Sequence, residues 1–456
     1  MYDDQSRRAF LKRSGALGIV GAASPFMVNL AAIGEAAAAV NTDYKALVCI
    51  FMFGGNDYAN TLPPYDQASY NAYQAQRSVL AYARADLAAT ALNPLTALPG
   101  GRQFALAPGL APLLPVFDAG RMAPVLNVGT LMQPTTKAQY VARSVPLPPK
   151  LFSHNDQQSF WQASNPEGAS SGWGGRIGDL MQSGNGNATL TCINASGNAV
   201  FLTGRQAVQY SVGTAGPIAL TARTSLYGSA AASSALQAMM GGTATGLFAN
   251  EHAKVSKRSL DTYAQVSTAL AAAPVLTTAF PASSLGQQLK IVANMISMSS
   301  QLGARRQVFF VSTGGFDNHD ALVAQHPGLL ANVAASAKAF YDSTVELGIS
   351  DKVTSFTGSD FGRTLLANTD GSDHGWGSMH FVLGGAVNGR RIFGTAPEFA
   401  NNGPSDVGQG RLLPTIAVDQ YASTLASWFG VPNSDMTTVL PNMGNYNQST
   451  WNLGFV

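Results

Sequence analysis

Short apolar runs recur along the chain and alternate with longer stretches of helical periodicity. Most runs are rich in Val, Ile, Phe or Thr and end in Gly, Ser or Asp, which is typical of buried strands bounded by turns. Between two of them, segment 328–349 places Leu330, Val333, Ala337 and Phe340 on one helical face. This alternation predicts an α/β fold with a mainly parallel central sheet and helices on both faces. The predicted strands are ALVCIFMFGG (46–55), APVLNVGT (123–130), TLTCINAS (189–196), RQVFFVSTGG (306–315), KVTSFTGSD (352–360) and HFVLGGAV (380–387).

Residues 200–305 depart from this pattern. They are rich in Ala, Ser, Thr and Gly, contain few strand-like runs and show helical periodicity from about residue 233 to residue 302. We interpret the segment as a helical cap inserted into one domain that spans residues 40–456.

The first 39 residues have the features of a twin-arginine signal peptide in the expected order. Arg7 and Arg8 precede a weakly apolar Gly- and Ala-rich stretch, and small residues suited to cleavage follow at Ala37–Ala39. The alternative is an amphipathic helix that belongs to the mature fold. The signal interpretation predicts export to the periplasm by the twin-arginine translocase. Elsewhere the chain has no apolar run of the roughly 20 residues that a membrane span requires.

Composition narrows the class of protein. Apolar residues make up 46% of the 456 residues and charged residues 11%, which indicates a globular chain with a sizeable core. The net charge of +2 favours neither nucleic acid nor an anionic membrane as a partner. Cys49 and Cys192 lie in separate strand-like runs without CxxC spacing, so we expect two buried thiols, although a periplasmic disulfide is allowed.

Acids and histidines are concentrated after the predicted strands. Four of the six histidines lie between residues 319 and 380, each close to an aspartate. Ligands of α/β sheets gather beyond the carboxyl ends of the strands, and carboxylates with imidazoles suit a divalent zinc, calcium or manganese ion. The alternative is that these residues cap helices and hydrogen-bond within loops. The candidate metal ligands are Asp57, Asp317, His319, Asp360, Asp373, His374 and His380.

A candidate nucleophile lies in the segment KLFSHNDQQSFW. Ser153, with Asp156 three residues later, resembles a capping box at a helix start. A helix start also stabilises an anion, so the sequence allows Ser153 to be either a cap or a nucleophile. Thr135 and Thr136 are the reserve candidates. The chain lacks a GxSxG nucleophile elbow and lacks Walker or Rossmann glycine patterns after a strand.

Several motifs together resemble the exported bacterial family called domain of unknown function 1501. The resemblance extends from the signal peptide to the C-terminal NLGFV, and that family resembles a branch of the alkaline phosphatase and sulfatase superfamily. The motifs are YKALVCIFMFGGNDYANT (44–61), LFSHNDQQSFWQA (151–163), STGGFDNHD (312–320), SDFGRTLLANTDGSDHGWGSMHFVLGGAV (359–387) and VDQYASTLASWFGVP (418–432).

The resemblance implies an alkaline phosphatase-like fold and a role for each candidate. Asp57 would be the acid after the first strand, Ser153 the nucleophile, Asp317 with His319 the Asp–His pair, and Asp360 the strand-end acid. His374 or His380 would be the late histidine. One departure is that Phe361 stands where an imidazole is expected beside Asp360, a place that Asp373 with His374 could take over.

Two functions are compatible with these features. The first is a periplasmic, metal-dependent hydrolase of phosphate or sulfate esters, in which Ser153 or a water molecule at the metal attacks a small anionic ester. The second is an exported, non-catalytic binding or assembly protein that retains the fold. Phe361 favours the second function, and the set of strand-end aspartates and histidines favours the first.

Overall fold

A computed structural model describes residues 43–242 and 246–456, so the predicted signal peptide lies outside the described residues. Within those ranges, nine strands form one sheet flanked by helices, which confirms the α/β class. The strands are β1 (Lys45–Met52), β2 (Met122–Gly129), β3 (Cys192–Asn194), β4 (Gln209–Gly213), β5 (Gly216–Pro217), β6 (Arg306–Thr313), β7 (Val353–Ser359), β8 (Ser378–Gly384) and β9 (Ile416–Ala417).

The sheet has the strand order β5-β4-β3-β6-β1-β7-β8-β2-β9. Strand β1 lies at its centre and pairs in parallel with β6 on one side and β7 on the other. The pairs β3–β4, β3–β6 and β2–β9 are also parallel, whereas β7–β8, β2–β8 and β4–β5 are antiparallel. The described sheet is therefore mixed.

Successive residues of β1 face two different cores, as the alternation of side chains along a strand requires. Val48 and Ile50 belong to the core beneath the helices at 284–297 and 322–346, while Cys49 and Phe51 belong to the core beneath the helices at 154–163, 173–181 and 418–429. The α-helices are α1 (Gln67–Arg77), α2 (Arg84–Leu87), α3 (Leu114–Asp118), α4 (Lys137–Ala142), α5 (His154–Ala163), α6 (Trp173–Met181), α7 (Ala230–Gly241), α8 (Leu247–Ala271), α9 (Ser284–Ser297), α10 (Leu322–Glu346), α11 (Val418–Phe429) and α12 (Met436–Val439).

The segment 200–305 contains both strands and helices. Strands β4 and β5 extend one edge of the sheet, α7 packs on α8, and α9 packs on β6 and α10. The α-helices of the segment thus begin with α7, close to the expected residue 233, and strands of the sheet precede them. Its role as a cap stays a prediction.

Both cysteines are buried and unpaired, as expected for core thiols. No helix among the described residues combines the length and the apolar character needed to span a bilayer.

Candidate metal centre

Three neighbouring strands end at the same edge of the sheet and deliver the candidate residues. β6, β1 and β7 are adjacent and parallel, and they end at Thr313, Met52 and Ser359. The loops that follow them carry most of the acids and histidines predicted as ligands. The structure therefore brings these loops together where parallel α/β sheets place their ligands.

A carboxylate and two imidazoles converge at this edge. The Nε2 atoms of His154 and His374 lie 3.0 Å apart. The Oδ2 atom of Asp317 lies 3.3 Å from Nε2 of His154, and its Oδ1 atom lies 3.2 Å from Nε2 of His374. One donor atom of each residue lies within 4.8 Å of the others, and their side chains are 24–45% exposed. We call His154, Asp317 and His374 the His–Asp cluster.

The spacing of the cluster fits a single ion. A four-coordinate zinc ion with bonds of about 2.0–2.2 Å holds its ligand atoms roughly 3.3 Å apart. The partial exposure of the three side chains leaves a path from solvent. The arrangement is therefore open to an ion and to a further ligand.

His154 enters the cluster as the first residue of α5. Phe152, two residues earlier, has a φ of +74°, a left-handed conformation that is uncommon for a bulky residue. The Phe152 carbonyl accepts a hydrogen bond from Nδ1 of His374 at 2.7 Å. The ring of Phe361 packs against the imidazoles of His154 and His374, with centroids 4.9 and 4.8 Å away. The start of α5 thus orients two of the three cluster residues.

Hydrogen bonds on the far side of each ring determine which nitrogen carries the proton. Nδ1 of His154 lies 2.7 Å from Oδ2 of Asp360, and Nδ1 of His374 lies 2.7 Å from the Phe152 carbonyl. Both partners are acceptors, so each Nδ1 must donate, and in a neutral ring Nε2 then holds a lone pair. Two such lone pairs face each other across 3.0 Å. This contact is repulsive unless a cation lies between them.

The two rings differ in their affinity for a proton. The hydrogen bond to Asp360 raises the pKa of His154, whereas burial lowers the pKa of His374. Without a metal, a proton shared by the rings therefore belongs on Nε2 of His154, which donates it to His374. Burial opposes the ionisation of Asp317, but the guanidinium of Arg363 lowers its pKa overall. An ionised carboxylate beside a nitrogen pair that a cation stabilises makes the cluster a candidate metal site.

Asp360 and Asp373 lie behind the imidazoles, where each contacts an Nδ1 atom. Oδ2 of Asp360 accepts from His154, from Gln158 Nε2 at 2.7 Å and from the Gly54 backbone at 3.1 Å. Oδ1 of Asp373 lies 3.3 Å from Nδ1 of His319. Both aspartates were predicted as ligands, and in the structure each lies against the Nδ1 atom of an imidazole while it also accepts from other groups.

His319 lies directly beside the cluster. Its Nε2 atom is 2.9 Å from Nε2 of His374 and 3.1 Å from Oδ1 of Asp317. It is the most exposed of the three imidazoles, at 40%. The predicted Asp317–His319 pair is therefore brought together, with Asp373 behind the histidine.

Asp57 does not join the cluster, contrary to the role predicted for it. Its carboxylate forms a buried ion pair with Arg77 of α1 and accepts hydrogen bonds from the backbone of Ala59 and Asn60 at 3.0 and 3.1 Å. Burial opposes ionisation, but Arg77 lowers the pKa of Asp57. An arginine thus supplies the positive charge that the prediction assigned to a metal.

His380 is also placed away from the cluster. It lies on β8, where its ring packs against Trp161 and Tyr421, and Nδ1 lies 3.3 Å from Oγ1 of Thr357. Burial lowers the pKa of His380 to about 3, so the ring is neutral. Of the two late histidines left open by the sequence, His374 is the one that reaches the cluster.

Ser153 occupies the N-cap position of α5, but its side chain does not cap the helix backbone. Its Oγ donates instead to Oδ2 of Asp156 at 2.9 Å. Of the reserve candidates, Thr135 donates to the carbonyl of Gln133, and Thr136 forms the capping box of α4. Ser153 is the candidate nucleophile that directly adjoins a cluster residue.

Sequence reasoning missed His154 and Arg363. The available signal for His154 was a histidine at the first position of a predicted helix, next to the candidate nucleophile. His154 contacts Asp360, so an imidazole lies beside this acid although residue 361 is a phenylalanine. Nothing in the local sequence marked Arg363, which is fully buried.

Comparison with known proteins shows one family match and a remote structural likeness. A family model described as "Protein of unknown function (DUF1501)" matches residues 44–426. Among solved structures, a sulfatase from Pseudoalteromonas sp. is similar at 10% identity and a TM-score of 0.35, over 92% of this chain and 75% of that chain. No curated protein sequence matches significantly. The family match includes the three strand ends and the whole His–Asp cluster.

Proposed function

Since the chain belongs to the DUF1501 family of proteins of unknown function over most of its length, we propose an activity from the site itself. The proposed activity is metal-dependent hydrolysis of phosphate or sulfate esters. The observation that carries it is the 3.0 Å approach of two imidazole nitrogens whose rings are both oriented to present lone pairs, beside an ionised aspartate.

His154, His374 and Asp317 would hold the ion. Imidazoles with a carboxylate suit zinc or manganese, and among the three ions predicted they suit calcium least, because calcium takes six to eight oxygen ligands. When bound, a divalent ion acts as a Lewis acid on the oxygens of the ester. Three protein ligands leave a position open for the substrate, as in catalytic zinc sites.

Residues around the cluster would carry the proton transfers. We assign the nucleophilic hydroxyl to Ser153, whose Oγ would form the bond to phosphorus or sulfur while Asp156 accepts its proton. The bond from phosphorus or sulfur to the leaving oxygen breaks, and that oxygen takes a proton from Nε2 of His319. Asp373 holds Nδ1 of His319, the arrangement by which an acid orients a catalytic histidine. Water then attacks the phosphorus or sulfur of the enzyme ester and gives a proton to Nε2 of His319. The bond to Oγ of Ser153 breaks, Asp156 returns its proton to Oγ, and phosphate or sulfate is released.

Arg411 gives the site a preference for anions. Its Nε donates to the carbonyl of His374 at 2.7 Å, and its guanidinium lies over the ring of Phe152, 5.0 Å from the centroid. This cation therefore stands directly beside the cluster. A phosphate or sulfate monoester is the small ligand whose charge it complements.

The experiment combines metal analysis with turnover of an aryl phosphate and an aryl sulfate. The parent protein should bind one ion and hydrolyse at least one of the two esters. His154→Ala should lose both the metal and the activity, whereas His319→Ala should keep the metal and lose the activity. His252→Ala, on an exposed face of α8, is the matched control and should change neither.

Two outcomes would contradict the proposal. If the folded parent protein binds no divalent ion, both the proposed metal site and the proposed hydrolase activity are ruled out. A protein that binds an ion but hydrolyses neither ester supports the non-catalytic binding protein.

Location and the remaining fold assignments are part of the proposal. We propose that residues 1–39 direct twin-arginine export to the periplasm, and that residues 40–456 form one alkaline phosphatase-like domain with a cap at about 200–305. Replacing Arg7 and Arg8 with Lys should leave the precursor in the cytoplasm. Normal export of that variant would point to another route.

A further inference from the structure

Arg363 is held in one position by hydrogen bonds to three residues. It is fully buried, and its Nη1 donates to the Gly54 carbonyl at 3.1 Å and to Oδ1 of Asp317 at 2.6 Å. Its Nη2 donates to the backbone carbonyl of Ser372, and its Nε lies 3.4 Å from the hydroxyl of that residue. A guanidinium that is bound on all sides cannot follow a moving carboxylate.

The residues behind Arg363 are equally constrained. The Ser372 hydroxyl lies 3.4 Å from Oδ2 of Asp57, which is ion-paired with the buried Arg77. The peptide of Gly54 joins the two sides of the site, because its N–H donates to Asp360 and its carbonyl accepts from Arg363. Arg363 and the buried residues behind it therefore determine the position of Asp317, rather than the exposed loop that carries it.

The two oxygens of Asp317 consequently face different partners. Oδ1 faces Arg363 and also lies 3.1 Å from Nε2 of His319 and 3.2 Å from Nε2 of His374. Oδ2 faces Nε2 of His154 at 3.3 Å, and no hydrogen bond to Oδ2 is found within the described part of the chain. A charge-assisted bond of 2.6 Å commits Oδ1 to the arginine. Among the described residues, Oδ2 has no such bond to arginine and remains available as a ligand atom next to His154.

We infer that Arg363 is a positioning residue that limits Asp317 to a single metal bond through Oδ2. This inference rests on the proposed metal site and adds a selectivity to it. A one-oxygen carboxylate with imidazoles suits a small ion of low coordination number, such as zinc. Calcium, which takes six to eight oxygens and often a two-oxygen carboxylate, is disfavoured. Arg363 thus influences which metal ion binds without contacting that ion.

The test measures metal binding rather than turnover, with zinc, calcium and cobalt as the probes. Arg363→Lys keeps the positive charge but cannot span Gly54, Asp317 and Ser372 together. We expect its zinc affinity to fall by about 10–100-fold, the usual effect of losing an outer-shell partner. The preference for zinc over calcium should narrow, and the visible absorption of the cobalt protein should weaken as the coordination number rises.

The matched control is Arg306→Lys. Arg306 is also a buried, ion-paired arginine, but it begins β6 at the opposite end of the strand from the site. The Arg306→Lys variant should therefore have the zinc affinity and the cobalt spectrum of the parent protein. If Arg363→Lys fails to fold, the cobalt spectrum of the parent protein decides: intense four-coordinate bands support the inference, and weak six-coordinate bands overturn it.

The outcomes separate this inference from the hydrolase proposal. A folded Arg363→Lys protein with parental zinc affinity and an unchanged cobalt spectrum overturns the role of Arg363 and leaves the hydrolase proposal intact. A parent protein that binds none of the three ions overturns both.

Discussion

Gly54 and Asp317 touch through their backbones, so closely that a Cβ on residue 54 would overlap the backbone nitrogen of Asp317. Gly54 also has a φ of +118°, a conformation that residues with a side chain rarely adopt. Its backbone N–H donates a hydrogen bond to Asp360, and its carbonyl accepts one from Arg363. The end of β1 and the loop after β6 can therefore approach only because residue 54 is glycine.

The first prediction follows from this contact. Gly54→Ala should displace the Asp317 loop, reduce metal content and cost more than the ~1–3 kcal/mol of backbone strain alone. Metal analysis and chemical denaturation measure both effects. Gly197→Ala is the control, because Gly197 has a φ of +116° but nothing within 4 Å of its added Cβ. Equal losses in the two variants would mean that the overlap has no effect.

The second prediction concerns Asp57. Asp57→Asn removes one partner of a fully buried ion pair and leaves Arg77 uncompensated, so we expect a loss of about 3–5 kcal/mol in the free energy of unfolding. The metal content per folded molecule should stay at the parental value. Asp317→Asn should show the reverse, losing the ion at a smaller cost in stability. Loss of metal from folded Asp57→Asn would restore Asp57 as a ligand.

The sequence was sufficient to predict the edge of the sheet at which most of the candidate residues meet. The strands β1, β6 and β7 are apolar runs with clear ends, and parallel packing places those ends together. Asp317, His319 and His374 could be predicted as candidates because they follow such runs closely. Local pattern carries this information, since the ends of strands and the residues after them are close in the chain.

The roles of Asp57 and His154 could not be read from local pattern. Asp57 follows a strand, as a metal ligand is expected to do. Its partner Arg77 comes 20 residues later, on a helix whose packing cannot be predicted from the sequence. His154 meets Asp360 across 206 residues. That meeting depends on α5 lying against β7, where the ring of Trp161 occupies the space that a side chain at Gly358 would fill. Such contacts are determined by tertiary packing.

The third prediction is a loss of stability in acid. Burial lowers the pKa of His326 to about 4 and that of His380 to about 3, below the ordinary value of about 6.5. Between those values the unfolded chain binds more protons than the folded one. Stability from these residues is therefore full above pH 6.5 and falls as the pH drops, by up to about 1.4 kcal/mol per pH unit for each histidine.

Asp419 acts in the opposite direction over part of this window. Burial raises its pKa to about 6, so the folded state binds the extra proton between pH 6 and the ordinary value of about 4. The net slope should thus be that of roughly one histidine. His380→Phe should reduce this slope in denaturant unfolding measured with a chelator present, whereas the exposed His252→Gln should not. An unchanged slope in His380→Phe would show that His380 is not buried as a neutral ring.

The last prediction separates the two roles of Ser153. Its hydroxyl donates to Asp156 and caps no backbone group, so Ser153→Ala should cost only about 1 kcal/mol for the lost hydrogen bond. Fold and metal content should stay near the parental values, because His154 is still held by Asp360. If Ser153 is the nucleophile, turnover of an aryl phosphate or sulfate should fall by several orders of magnitude.

Two further variants make the result specific to the hydroxyl group. Ser153→Thr keeps a hydroxyl and should retain part of the turnover. Ser153→Asp keeps an acceptor at the helix start but adds negative charge beside Asp156, where the anionic ester must approach, and should be as inactive as Ser153→Ala. Parental turnover in Ser153→Ala would remove this side chain from the mechanism. The attacking oxygen would then have to come from water, because Thr136 already caps α4 and Thr135 is bonded within its own loop.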